Sequence, residues 1–299
     1  MKSLVILITG ATSGIGRNAA LSLAGQGHRV FATGRREAEL RRLLTEAKDT
    51  PLETLTLDVT STESIDAARL EIDRRTAGHG VDVLVNNAGY GLLGPLAEIT
   101  DKDLRKQYDT NVFGLMAVTR AFLPAMQVRG SGRIVNVSSI GGLVTIPMMG
   151  AYNSTKYAVE SLSDALRNEL SPFGVHVSLI EPGVIRTEFS DRAMESISAY
   201  RSPDSPYANV LLRAAEVEQR SMSIAVGPEV ITRAITRAIH DRHPSARYVA
   251  PGRAKLMVLL ARLSPTWLVD RAMRWFLGLT PKRVTAKPAA LPAVTAAAP

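Results

Sequence analysis

The sequence predicts an open, doubly wound α/β sheet of about seven parallel strands with helices on both faces. Three observations carry that prediction. Short β-rich apolar runs alternate with longer helical patterns along most of the chain. Runs such as Val81-Asp82-Val83-Leu84-Val85 are apolar almost throughout, as strands buried on both faces of a parallel sheet must be. Gly25, Gly27, Gly78, Gly80, Gly130, Gly132 and Gly174 fall at the joins from helix to strand, where the left-handed turn that ends a helix costs glycine least.

In chain order, strands are expected at Leu4–Thr9, Arg29–Thr33, Leu52–Leu57, Val81–Asn86, Arg133–Ser138, Val175–Ile180 and Arg247–Ala250. Helices are expected around 15–26, 36–48, 62–77, 102–128, 151–171 and 228–241. The stretch 190–226 breaks the rhythm. It holds Ser202-Pro203-Asp204-Ser205-Pro206 and then a helical segment, Tyr207–Gln219. It begins just after the carboxyl end of the sixth strand, where a doubly wound sheet binds its ligand, so it reads as a lid. A pair of ordinary surface helices is the alternative. The expected organisation is one domain over 1–254, with that insertion inside it, an amphipathic helical extension over 255–283 broken at Pro265, and a disordered Ala/Pro tail over 284–299.

Composition narrows the function. With 299 residues, 45% hydrophobic and 21% charged, the chain can bury a sizeable core. The net charge of +8 suits a polyanionic cofactor as well as nucleic acid, and the excess arginines are scattered rather than blocked, which disfavours nucleic acid. The absence of cysteine excludes disulfides, zinc–thiolate sites and thiol catalysis. His240 and His243 lack a surrounding carboxylate triad and read as surface residues at a helix end, so no metal site is expected. The apolar run Leu4–Ile8 is too short for a secretion signal and no apolar stretch is long enough to span a membrane, so a cytoplasmic location is expected.

Thr9-Gly10-Ala11-Thr12-Ser13-Gly14-Ile15-Gly16 joins the first strand to the first helix. Glycines there let the backbone approach a pyrophosphate, and the helix N-terminus presents free N–H groups and a partial positive charge. At the end of the second strand, where an acid would bind the ribose hydroxyls of NAD, the chain reads Gly34-Arg35. A guanidinium suits a 2′-phosphate, so Arg35 favours NADP over NAD, and Arg17 could add charge.

Tyr152 and Lys156, at spacing i, i+4, share one helix face at roughly 5–6 Å between Cβ atoms. A free tyrosine ionises near pH 10. A lysine charge 4–5 Å away, at an effective dielectric near 20, is worth about 3–4 kcal/mol, enough to bring Tyr152 into working range as an acid or base. Thirteen residues earlier, Ser138-Ser139 ends a strand where a hydroxyl could meet a substrate oxygen. Asn86-Asn87-Ala88-Gly89 ends the fourth strand, and Asn111 is a polar residue on an otherwise apolar helix face that needs a partner. Leu92, Leu93 and the loop Gly141–Met149 suggest an apolar substrate pocket.

These residues resemble the classical short-chain dehydrogenases/reductases, closely over about 1–190 and in outline beyond. The resemblance rests on Thr9–Gly16, Asp58-Val59, Asn86–Gly89, Asn111, Ser139, Tyr152–Lys156 and Pro182-Gly183 followed by Thr187. It implies a Rossmann-type fold and an NADP(H)-dependent oxidoreductase that interconverts an alcohol and its carbonyl. Tyr152 would be the acid/base, Ser139 would orient the substrate oxygen, Lys156 would bind the nicotinamide ribose and lower the tyrosine pKa, and Asn111 would hold a relay water. The family's thirteen-residue spacing selects Ser139 over Ser138. Cofactor contacts would come from Gly10, Thr12, Ser13, Gly14, Ile15, Gly16, Arg35, Asp58, Val59, Asn86, Ala88, Gly89, Tyr152, Lys156, Pro182, Gly183, Ile185 and Thr187. Glu181 and the 255–279 extension resemble members acting on hydroxysteroids, retinoids or similar lipid-like alcohols. A homodimer or homotetramer is a further family expectation. Two other functions remain open: an NADP-binding sensor without catalysis, which such proteins usually show by losing the Tyr or Lys, and an epimerase or dehydratase of the extended branch, which the Gly spacing disfavours. The 255–279 segment has three readings: docking on the protein's own body or another subunit, a peripheral membrane contact through Trp267, Trp275, Phe276 and nearby arginines, or a cap over the cleft.

Overall fold

The computed structural model describes residues 3–284. Seven strands, β1 Val5–Ile8, β2 Arg29–Gly34, β3 Leu52–Thr56, β4 Val83–Asn86, β5 Gly132–Val137, β6 Val175–Pro182 and β7 Arg247–Ala250, form one sheet in the order β3-β2-β1-β4-β5-β6-β7. Every neighbouring pair is parallel. The order reverses between β1 and β4, and a crevice opens there beyond the carboxyl ends.

Residues alternate across the sheet because strand side chains have a period of two. Ile6 and Ile8 join one core with Val30, Val83 and Val135. Leu7 joins the other with Phe31, Leu84 and Ile134. The first core is covered by α1 Gly14–Gly25, α2 Glu37–Glu46 and, later in the chain, the helix Glu229–His240. The second is covered by α3 Thr62–Arg75 and two longer helices reached after α4 Asp101–Tyr108, namely α5 Leu115–Arg129 and α6 Gly150–Leu170. Each fully buried Leu, Ile or Phe contributes about 1.5–3 kcal/mol, so these two layers dominate the stability. Ser61 and Thr100 cap α3 and α4, accepting from Ser64 N and Asp103 N.

The helix expected over 102–128 is interrupted. Between α4 and α5, Asp109–Gly114 is wound as a π-helix. A Cβ on Gly114 would lie 2.8 Å from the Val59 carbonyl oxygen, so glycine permits the close approach of this wide turn to the β3–α3 loop. The insertion is more helical than expected: α7 Glu188–Ser198, α8 Ala208–Leu212 and α9 Ala214–Ser223 precede α10 Glu229–His240. The extension forms α11 Gly252–Leu263 and α12 Thr266–Leu277, parted at Pro265, then a last turn α13 Pro281–Val284. The tail expected to be disordered lies, beyond Val284, outside the described residues. His240 is not a free surface residue: it stacks on buried His28 at 4.9 Å between ring centroids, with the two Nε2 atoms 3.1 Å apart. No helix among the described residues is long and apolar enough to cross a membrane.

Candidate active site

The Gly-rich loop wraps the carboxyl end of β1. Gly10 has φ +64° and Gly14 φ +54°, a region that side chains avoid, and a Cβ on Gly10 would lie 2.8 Å from Ala88 Cα. Asn87 Nδ2 ties the loop down by donating to the carbonyls of Thr9 and Gly10 at 3.0 and 2.9 Å. Thr9 Oγ1 accepts from the backbone of Asn87 and Ala88, both at 3.0 Å. The N–H of Gly14, at the start of α1, donates to Glu188 Oε2 at 3.1 Å. That carboxylate oxygen stands where a phosphate oxygen of a dinucleotide would accept.

The loop opens into a cleft of about 820 Å³. Most of the expected cofactor residues line it: Gly10, Thr12, Ser13, Gly14 and Ile15 of the loop, Arg35, Asp58, Val59, Ala88 and Gly89, and Pro182, Gly183, Ile185 and Thr187, with Thr187 packed against Gly14. Asp58 Oδ1 accepts from the backbone and hydroxyl of Thr60 at 2.9 and 2.7 Å. Burial alone would raise the Asp58 carboxyl, but these hydrogen bonds and the nearby Arg35 charge hold it below the usual range.

Three expected residues do not reach the cleft. Gly16 packs beneath the loop, where a Cβ would lie 2.4 Å from both Asn87 Nδ2 and the Gly10 carbonyl. Asn86 is buried in the sheet and donates to Thr119 Oγ1 and Asn136 Oδ1, both at 2.9 Å. Its neighbour Asn87, one residue on and so facing the other way, lines the cleft instead. Asn111 is also buried, on the π-turn, with Nδ2 donating to the Tyr90 carbonyl at 3.0 Å and Thr155 Oγ1 at 3.1 Å. Arg17, a further candidate for the phosphate, is instead paired with Glu46.

Ser139, Tyr152 and Lys156 all line the cleft. Lys156 Nζ donates to the Val137 carbonyl at 2.8 Å and lies 5.7 Å from the Tyr152 ring centroid. Ser139 Oγ accepts from Gly141 N at 3.0 Å and interacts with the Tyr152 hydroxyl, whereas buried Ser138 faces Glu160. Both serines line the cleft, and Ser139 is the one that meets the Tyr152 hydroxyl. The electrostatics differ from the expectation that Lys156 lowers Tyr152. Burial pushes Tyr152 up to about 12, with Ser139 opposing, and pulls Lys156 down to about 8, with Glu160 opposing. Desolvation is the largest cause of both shifts.

Beyond Tyr152 the cleft turns apolar. Phe189 of α7 packs on the Tyr152 ring at 5.5 Å between centroids. Leu93, Ile146, Met148 and Met149 line it together with Leu211 and Val217 from the insertion, and Arg192, Glu195 and Glu218 add charged groups. Leu92 instead packs inside with Ala151, Ile197 and Tyr200, and Leu143 and Val144 pack against Ala254 and Val258 of α11. Phe276 and Leu277, at the end of α12, close part of the same cleft.

Fold and site together define a class. A family model described as short chain dehydrogenase matches residues 4–197, and the chain belongs to that family of oxidoreductases. Its relatives act on alcohols and carbonyls, typically with a nicotinamide dinucleotide. Among its relatives, 3-ketodihydrosphingosine reductase from Bacteroides thetaiotaomicron is 34% identical over 279 residues, spanning 93% of this chain and 97% of the relative. Human 17-beta-hydroxysteroid dehydrogenase type 1 is 38% identical over 263 residues, spanning 85% and 79%. The solved structure of a variant actinorhodin polyketide ketoreductase with NADPH superposes with a TM-score of 0.72 at 30% identity, covering 84% of this chain and 97% of that one.

Proposed function

We propose that this protein is an NADPH-dependent reductase of a long apolar ketone, with Tyr152 as proton donor. One observation carries the reading: Ser139, Tyr152 and Lys156 meet at the point where the cleft changes from the Gly-rich loop to an apolar wall. The residues fit a dinucleotide. Gly10 and Gly14 leave a cradle that a Cβ would fill or strain, and the Gly14 N–H already aims at an anionic oxygen. Arg35 lines the cleft with Thr12 and would pair with a 2′-phosphate. When bound, the dinucleotide supplies the hydride that reduces the carbonyl carbon.

The protein's own residues then handle position and proton. Ser139 Oγ hydrogen-bonds the carbonyl oxygen and polarises it. Tyr152 donates its phenolic proton to that oxygen as it becomes a hydroxyl. Buried Tyr152, its pKa pushed up by desolvation, carries its proton at neutral pH and can donate it. Lys156, held by the Val137 carbonyl, would bind the nicotinamide ribose and steady the phenolate that remains. Asn111, pinned between Tyr90 and Thr155, holds the π-turn and the Tyr90 loop beside this group. Phe189 and the insertion helices exclude water from the reacting carbon.

The apolar far wall supports a steroid-, retinoid- or lipid-like substrate, and relatives named for sphingoid and steroid ketones favour the same class. On the family resemblance we also propose a cytoplasmic homo-oligomer. The test is NADPH oxidation against ketones of increasing chain length. Turnover that grows with chain length and exceeds that with NADH supports the reading; NADH preference or a preference for small polar ketones contradicts it.

A further inference from the structure

Nine of the seventeen large apolar side chains exposed on the described surface fall between Leu256 and Phe276. The helices that carry them pack through narrow seams. On α11 only Ala254 and Val258 are buried. On α12 no residue is fully buried, and Val269, Met273 and Leu277, at i, i+4 and i+8, form its inner, half-buried side. The opposite side of α12 carries Trp267, Arg271 and Trp275 at the same spacing, with both tryptophans largely exposed (66% and 79%). Leu263, at the turn between the helices, is 75% exposed. A globular protein does not leave so much aromatic and leucine surface in water without a use for it.

Charge selects the occupant. Over residues 252–284 there are seven cationic side chains, Arg253, Lys255, Arg262, Arg271, Arg274, Lys282 and Arg283, and one acid, Asp270. A second copy meeting this face across a two-fold axis would set these cations against themselves. An anionic bilayer surface complements them, while the tryptophans and leucines enter the headgroup layer, as amphipathic interfacial helices do. The side of α12 turned to the protein ends at Phe276 and Leu277, which line the catalytic cleft. The same helix therefore faces the solvent at one side and the substrate space at the other.

We propose that the α11–α12 hairpin docks on an anionic lipid bilayer through the Trp267–Arg271–Trp275 stripe, and that apolar substrate passes from the bilayer into the cleft beside Phe276 and Leu277. The delivery half rests on the reductase reading above; the docking half does not.

The two tryptophans of the chain both lie in this stripe, so intrinsic fluorescence reports docking directly. Full-length protein is titrated with vesicles of phosphatidylcholine containing phosphatidylglycerol, and with phosphatidylcholine alone. A blue shift with the mixed vesicles, much weaker with the neutral ones, is expected. The double variant Arg271→Glu, Arg274→Glu should partition at least about tenfold more weakly, since each cation near an anionic surface is worth roughly fivefold. The absence of a blue shift, or one that depends on protein concentration without vesicles and so reports a second copy, overturns the docking. For delivery, the variant should keep its NADPH turnover of a water-soluble ketone and lose turnover of a ketone dissolved in the bilayer. Equal loss on both overturns delivery. A wild type that docks but reduces neither ketone overturns the reductase reading and leaves the docking standing.

Discussion

Replacing Glu181 with glutamine should stabilise the protein at alkaline pH and change little in mild acid. Glu181 is fully buried at the end of β6, and neither carboxylate oxygen makes a hydrogen bond. Arg247 Nε lies 3.2 Å from Glu181 Oε1 and 3.2 Å from Glu160 Oε2, and its Nη2 is 2.6 Å from Asp164 Oδ2. One guanidinium thus serves three carboxylates; Arg262 adds a weaker field at Glu181, and Lys156 lies one turn before Glu160. Burial first, and then the charge of Glu160, push Glu181 from 4.5 up to about 8, against the opposing pull of Arg247. A folded-state pKa above the unfolded one means that folding keeps a proton the unfolded chain gives up. The stability is complete below about pH 4.5 and is lost progressively as pH rises to about 8. At about 1.4 kcal/mol per pH unit, the whole window is on the order of 5 kcal/mol, a ceiling because Glu160 also takes part. Glutamine has no proton to lose. Thermal unfolding of wild type and Glu181→Gln from about pH 5 to 9 checks this, with the variant gaining on the order of 10 °C relative to wild type across that range. Parallel pH profiles for the two proteins would refute the buried-acid account.

Three other changes test separate parts of the site. Arg35→Glu should raise the KM for NADPH by about ten- to a hundredfold and leave that for NADH within about threefold, because it removes a charge-assisted contact that only the 2′-phosphate makes; steady-state kinetics with both cofactors decide. Glu188→Gln should tighten NADPH binding by about three- to tenfold, most at low ionic strength, because the carboxylate on the Gly14 N–H competes with the pyrophosphate; fluorescence titration at two salt concentrations measures it. Gly114→Ala should cost about 1–3 kcal/mol, since its Cβ would meet the Val59 carbonyl at 2.8 Å, and a lower midpoint in urea would report it.

Much of the fold was legible because its signals are local. Every expected strand is present within about two residues at either end, and β7 matches at both ends. Runs such as Ile6-Leu7-Ile8 are buried on both faces, which leaves a continuous apolar signature. The Gly-rich loop and the Tyr152–Lys156 pair were legible for the same reason, being contiguous. What escaped is long-range or differs by a single residue. A π-turn at Asp109–Gly114 shifts the helical period too little to see in composition. Asn86 and Asn87 are alike in type, and only the pleat decides which one faces the cleft. The pairing of Arg17 with Glu46 and the stacking of His28 on His240 join residues 29 and 212 positions apart. The high tyrosine pKa also escaped, because spacing reports the attraction of Lys156 and is silent on the burial of both groups.

The central claim is that Tyr152 delivers the proton in a reduction that uses NADPH. The most direct measurement is single-turnover oxidation of bound NADPH by a long-chain ketone in Tyr152→Phe, with NADPH affinity measured on the same protein. Phenylalanine keeps the ring that packs on Phe189 and removes only the hydroxyl. The account predicts NADPH affinity within about twofold of wild type and a turnover rate lower by about 10²–10⁴. A variant that binds NADPH equally well and reduces the ketone at the wild-type rate would contradict it.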